Sequence, residues 1–150
     1  MLPPECDLNA AGAAVGPCLR LAGHALNLPY VGFARLGQLL LVDMGRESDG
    51  LYELDAPRLF ATAAALRQRL SLADVWDSAA FRDTRLGPDG PAVRAFASVP
   101  VLSVFGTSLG ALCAAGVQPR RLDATGLRPL EDGARVLAAL LAAQGGAEAR

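Results

Sequence analysis

Two neighbouring stretches decide the architecture: Pro91-Ala92-Val93-Arg94-Ala95-Phe96-Ala97-Ser98-Val99-Pro100-Val101 and, a short turn later, Leu109-Gly110-Ala111-Leu112-Cys113. Both are apolar and rich in small or β-branched residues. Read as strands over Val93–Val104 and Leu109–Ala115, they make a hairpin around Gly106-Thr107-Ser108. Pro100 has no N–H for a ladder, so the first strand is expected to bend or bulge there. Cys113 sits in an apolar strand, where a free thiol most often packs as a small hydrophobe.

Upstream, Tyr30–Leu36 and Gln38–Asp43 are strand-like and meet at Gly37, which predicts another hairpin, followed by a polar loop over Gly45–Gly50. Pro57–Leu70 carries Leu59, Phe60, Ala63, Leu66 and Leu70 at helical spacing. Ser71–Trp76 reads as a strand. Asp77–Pro91 reads as a long loop with room for a short helix, the kind of segment in which binding sites sit. Leu8–Leu28 reads as helical with a break at Gly16-Pro17, where a second helix starts and places Leu19, Ala22 and Leu26 on one side. At the other end, Leu127, Leu130, Ala134, Leu137 and Leu141 alternate three and four apart, with Pro129 in the first turn. The reading is one domain over 1–150: a helical segment at 8–28, sheet and loops at 30–122, and a helix at about 125–144. Hairpins separated by helices imply an α+β fold with an antiparallel sheet.

Composition removes several function classes. No apolar run approaches the roughly 20 residues that cross a bilayer, and Met1–Asp7 carries two acids and no base, unlike a secretory signal. A cytoplasmic protein with no membrane contact is expected. Every basic residue is Arg, and only Arg120-Arg121 are adjacent, so no basic face for nucleic acid is expected. Cys6, Cys18 and Cys113 form no CxxC pair and, with His24, match no zinc spacing, so neither a disulfide framework nor a metal is expected. His24 is the only histidine, and Cys18 six residues before it lies on another side of a helix. Nucleophilic catalysis of the Ser-His-Asp type therefore lacks its base.

The stretch Leu72–Leu122 resembles a GAF domain, of the bacterial kind found with histidine kinases and diguanylate cyclases. The resemblance rests on Pro91–Val101 (an Arg, an aromatic, a small pair and a strand proline) and on Leu109-Gly110-Ala111-Leu112-Cys113, similar to the family's Leu-Gly-Thr-Leu-Cys strand. Gln118-Pro119-Arg120 and Arg121-Leu122 match the turn before the last helix. Ala73-Asp74 and Ala80-Phe81 resemble the Asp and the aromatic that flank the ligand-side loop. Leu28-Pro29-Tyr30-Val31 and Leu41-Val42-Asp43 fit the first two strands more loosely. Ala114-Ala115-Gly116 departs from the bulkier aliphatics and Asp often found there.

The resemblance implies a GAF/PAS-like (profilin-like) antiparallel sheet of five or six strands. The N- and C-terminal helices would lie on one face, and a ligand-side helix and loops on the other. It also implies a non-enzymatic sensory domain that binds a small molecule, dimerises, or regulates a separate signalling effector. No cysteine lies between Cys18 and Cys113, so a covalent bilin is not expected, and the same gap argues against a GAF-type methionine sulfoxide reductase. His24 falls on the N-terminal helix, so His-ligated haem is not expected either.

On this arrangement Trp76, Asp77, Phe81, Arg94 and Phe96 line or border the ligand face, an apolar pocket with a few polar groups. A second reading has the aromatics filling the core, with Arg94 and Asp74 or Asp83 forming a structural ion pair that pins the loop. Leu130, Leu137 and Leu141 are candidates for a homodimer seam, or pack on the domain's own sheet. A dimerisation or scaffolding module with a filled pocket is therefore the alternative function. A roadblock-like partner of a small GTPase accounts less well for Arg94–Arg121.

Overall fold

A computed structural model describes residues 4–35, 37–44, 51–87 and 90–148, with the backbone alone for 4–14 and 144–148. The loop expected over Gly45–Gly50 and the Cys6 side chain lie outside the described residues. The elements run α1 (Pro4–Leu26), β1 (Tyr30–Arg35), β2 (Gln38–Asp43), β3 (Tyr52–Asp55), α2 (Arg58–Ala65), β4 (Leu70–Leu72), a 3-10 turn at Val75–Asp77, β5 (Ala95–Leu102), β6 (Ser108–Gly116) and α3 (Arg128–Glu148). The six strands form one sheet in the order β3-β2-β1-β6-β5-β4, and every pairing is antiparallel.

Side chains alternate across this sheet, so each central strand feeds two cores. Val31 and Phe33 of β1, Val99 and Val101 of β5, and Leu112 and Ala114 of β6 meet Leu19, Ala22 and Leu26 of α1 and Leu130, Ala134 and Leu137 of α3. The opposite residues, including Ala34, Phe96, Ala111, Cys113 and Ala115, meet Leu59, Phe60 and Ala63 of α2 together with Val75, Leu86 and Val93 from the loops. The N- and C-terminal helices thus share one face, and α2 with the long loop covers the other. Small residues let the two helices approach: a Cβ on Gly133 of α3 would come 3.0 Å from Leu112 and 3.5 Å from Ala22. Cys18 Sγ donates to the Gly133 carbonyl over 3.7 Å.

Several expectations are corrected. The break at Gly16-Pro17 is absent, since α1 runs through Pro17 as one helix; burial of Val15, Leu19, Ala22 and Leu26 outweighs the hydrogen bond that a proline removes. The helix read over Pro57–Leu70 stops at Ala65, where Leu66 turns to extended backbone (ψ 148°). Leu70 belongs instead to β4, and of the strand read over Ser71–Trp76 only Ser71 and Leu72 are strand, with the 3-10 turn beginning at Val75. β3 was not anticipated; its four residues alternate apolar and acidic, with Glu53 and Asp55 outward on a sheet edge. The last helix starts at Arg128 rather than about 125, keeps Pro129 in its first turn, and extends to Glu148.

Pro100 causes no bulge: it pairs in register with Ala111, beyond the span 96–98 that β4 covers. The irregularity comes one residue later, where Val101 faces Gly110 and Leu102 faces Ser108, leaving Leu109 as the extra residue. Gly110 has φ 141°, and a Cβ there would sit 2.4 Å from the Ala34 carbonyl oxygen. At the β5–β6 tip the Ser103 hydroxyl accepts from the Phe105 and Thr107 N–H groups, holding Val104 and Phe105 out in solvent.

Candidate functional site

Asp74 organises the loop-side rim of the sheet. Its Oδ1 accepts the Trp76 N–H at 3.1 Å, capping the 3-10 turn, and also accepts from Arg94 Nε at 2.9 Å, while Oδ2 accepts from Arg94 Nη2 at 2.8 Å. This two-pronged pairing suits the planar guanidinium. The Arg94 hydrogen bonds hold the Asp74 carboxyl below the usual carboxylate range, opposed by partial burial and helped by the Trp76 N–H. Main-chain bonds add to the clamp: Val75 N–H donates to the Arg94 carbonyl over 2.6 Å, and Arg94 N–H to Gly116 over 2.8 Å. The guanidinium carbon lies 3.7 Å above the centre of the Trp76 ring, a cation–π stack. Arg94 thus joins the start of β5 to the loop by three kinds of contact, and to β6 by a fourth.

The structure gathers three of the five residues picked from sequence. Trp76, Asp77 and Arg94 are on this rim, where Asp77 adds a further negative charge near Arg94. Phe81 is half-buried against the loop-side core. Phe96 is elsewhere: it is 1% exposed, with its ring edge-to-face on Phe60 at 4.9 Å. Phe96, Phe60, Leu59, Val75 and Val93 fill the space between sheet and α2. Arg94 takes Asp74 as its partner, and Asp83 stays exposed.

The concave surface lies outside this core. An open groove of about 350 Å³ is lined by Trp76, Arg82, Asp83, Thr84, Arg85 and Ala92. Its floor is set by a small hairpin in which Arg85 bridges to Ala92 and Val93 N–H donates to the Thr84 carbonyl. The buried Thr84 hydroxyl donates to the Phe81 carbonyl at 2.6 Å. A second depression, bordered by Arg58 and Phe81, shares Asp83, Thr84 and Arg85 with the first. Sequence reading missed Arg82, Thr84 and Arg85; the polar run Arg82-Asp83-Thr84-Arg85 directly after Phe81 was the available signal. Another groove, of about 500 Å³, lies on the helical side between β5 and α3, lined mainly by Val99, Pro100, Leu102, Ala134 and Ala138. Its floor is apolar, and its polar groups, Arg69, Ser103, Glu131 and Arg135, include the exposed Arg69–Glu131 ion pair.

One residue ties the two faces together. Arg120 N–H donates to the Ala73 carbonyl (2.9 Å), beside Asp74, and its guanidinium donates to the Leu26 and Asn27 carbonyls at 2.6 and 3.0 Å. Those carbonyls close α1, whose C-terminal cap is Asn27 at φ 57°, a left-handed position that Asn tolerates.

Of the residues considered for a dimer seam, Leu130 and Leu137 have no exposure and point into the domain's own core, while Leu141 is half-buried on its margin. Among the described residues, the large apolar side chains that the helical layer turns outward are Leu21 and Val136, 73% and 53% exposed. Burial raises the pKa of both described thiols, that of fully buried Cys113 strongly and that of Cys18 to a lesser degree. His24 is exposed on α1, across the sheet from the loop rim. No helix among the described residues is long and apolar enough to cross a membrane, and no group of three or more potential metal ligands is found among them.

No protein-family model and no curated protein matches the sequence. Solved structures do match the fold. The chain is similar to the GAF domain of an Acinetobacter phosphoenolpyruvate-protein phosphotransferase (15% identity, 85% of this chain and 80% of that one, TM-score 0.66). It is similar to a domain of a putative two-component sensor histidine kinase from Sinorhizobium meliloti (15% identity, 95% and 98% covered, TM-score 0.66). It is also similar to a type II free methionine-R-sulfoxide reductase from Thermoplasma acidophilum (18% identity, 91% and 94% covered, TM-score 0.63).

Proposed function

The chain has the GAF fold, and from that premise we propose that it is a non-enzymatic sensory domain: its loop rim takes up a small molecule, and its α1–α3 layer passes the result to a second copy or a separate signalling effector. The observation that carries this reading is Arg120, which holds the backbone beside Asp74 and the end of α1 at once. A change at the rim that moves Ala73 therefore acts on the helix cap across the sheet. The thiol environments favour regulation over catalysis, because burial keeps Cys113 protonated and Cys18 lies in the helical layer.

Amide hydrogen exchange tests the reading. Asn27 and Leu28 N–H both donate to the Gly23 carbonyl and report on the α1 cap. Asp74→Ala should speed exchange at these two amides, and should do so much less in an Arg120→Ala background. A cap indifferent to Asp74, or equal effects in both backgrounds, would remove transmission through Arg120.

The filled space behind Phe96 favours a second reading, in which the domain is a pure dimerisation or scaffolding module. Both readings give the helical layer the same task and differ at the loop rim.

A further inference from the structure

The geometry points to the Trp76–Arg82–Arg85 groove as a binding site for a small planar aromatic anion, a ring carrying a phosphate or a carboxylate. This inference rests on the sensory reading and specifies its ligand class. The interior behind Phe96 is occupied by the protein's own side chains, so a ligand on the loop side has to bind on the surface of this layer. The groove supplies two kinds of recognition there. Trp76, about half exposed, forms one wall, while Arg94 covers one face of its ring and does not line the groove. The indole is held by the Asp74–Arg94 clamp, which makes it a rigid platform for stacking a flat ring.

The second element is charge. Among the described residues, Arg82 and Arg85 line the groove against a single acid, Asp83, and Arg58 borders the depression that continues from it. Arg85 spends one donor on the Gly90 carbonyl at 3.2 Å, which orients its guanidinium and leaves the other donors for a ligand. Arg82 has no hydrogen-bonding or ionic partner among the described residues. A guanidinium pairs in two-pronged fashion with either a carboxylate or a phosphate, so the arginines specify an oxyanion and the indole specifies a ring. The volume, about 350 Å³, is at the small end for ligand sites and sets the size at a mononucleotide or an aromatic acid. Because the groove is open, binding should be weak, with Kd on the order of 0.1 mM or above.

Trp76 is the only tryptophan in the chain, so indole emission reports on this groove alone. Full-length protein is titrated with adenosine 5′-monophosphate and with benzoate, and each is paired with its uncharged counterpart, adenosine or benzamide. The expected result is a saturable emission change with at least one of the two anions, at least about tenfold weaker with its uncharged counterpart. The arm that responds distinguishes phosphate from carboxylate. Arg82→Gln and Arg85→Gln, checked for unchanged circular dichroism, should each weaken binding about tenfold, the usual effect of losing a charged hydrogen bond. Equilibrium dialysis of Trp76→Ala should show a similar loss, which separates stacking from a purely ionic contact. No saturable response to either anion, or arginine variants that bind as well as the wild type, would overturn the assignment. Failure here leaves the Arg120 exchange experiment to decide the sensory reading by itself.

Discussion

Single residues carry the sharpest consequences of this fold. Gly110 combines a positive φ with a Cβ direction blocked by the Ala34 carbonyl at 2.4 Å. Gly110→Ala should cost about 2–4 kcal/mol, from left-handed strain and overpacking together, and a urea melt measures it. A loss below about 0.5 kcal/mol would mean that the bulge relaxes freely. Asp74 makes a prediction about acid. Its native pKa is lowered, chiefly by Arg94, so its stabilising contribution is present above the unfolded-state value near 3.9 and disappears as pH falls through the lower native one. Asp74→Asn should therefore be less stable than wild type at pH 7, and the gap should close below about pH 4. A gap independent of pH would mean that shape rather than charge holds the rim. The glycine was legible as part of a Leu-Gly strand motif, but its reason was not: only the neighbouring strand shows which oxygen a methyl group would meet. Arg94 with Asp74 was likewise one of two pairings open in the sequence, and twenty residues of loop had to fold back to choose it.

At the scale of elements, period explains both what the sequence revealed and what it hid. The long hairpins and the last helix were readable because their apolar pattern persists over many residues. β3 was not, being four residues long, and β4, three residues long, was read with misplaced bounds; what makes them strands is the edge of an existing sheet. The α3 stripe shows a different limit. Its spacing predicts an apolar face but not what covers it, and the sheet claims Leu130 and Leu137. Leu137→Glu should consequently unfold the domain rather than yield a monomer, and Leu137→Ala should cost about 2–5 kcal/mol. If a homodimer forms through the outer helical surface, Val136→Glu should give a folded monomer by native mass spectrometry. A folded Leu137→Glu variant would contradict the packing; a Val136→Glu dimer as tight as wild type would take that surface out of the interface.

For the whole molecule, the antiparallel plan followed from the order of hairpins and helices, while the assignment of helices to the two faces came from the resemblance to GAF domains. The groove did not, because it is made by a loop whose shape depends on the Arg85–Ala92 bridge and on Thr84 being buried. Sequence reading placed the aromatics on the right side of the sheet and misjudged which of them stay at the surface. The common placement of α1 and α3 has one more consequence, a mechanical one. A load that pulls these two helices apart is borne by the seam where Cys18 meets Gly133 and by their grip on the sheet. The loop layer beneath hangs outside the load path. Arg120, which grips the end of α1 and the backbone beside Asp74 together, gives tension on that helix a direct route to the rim.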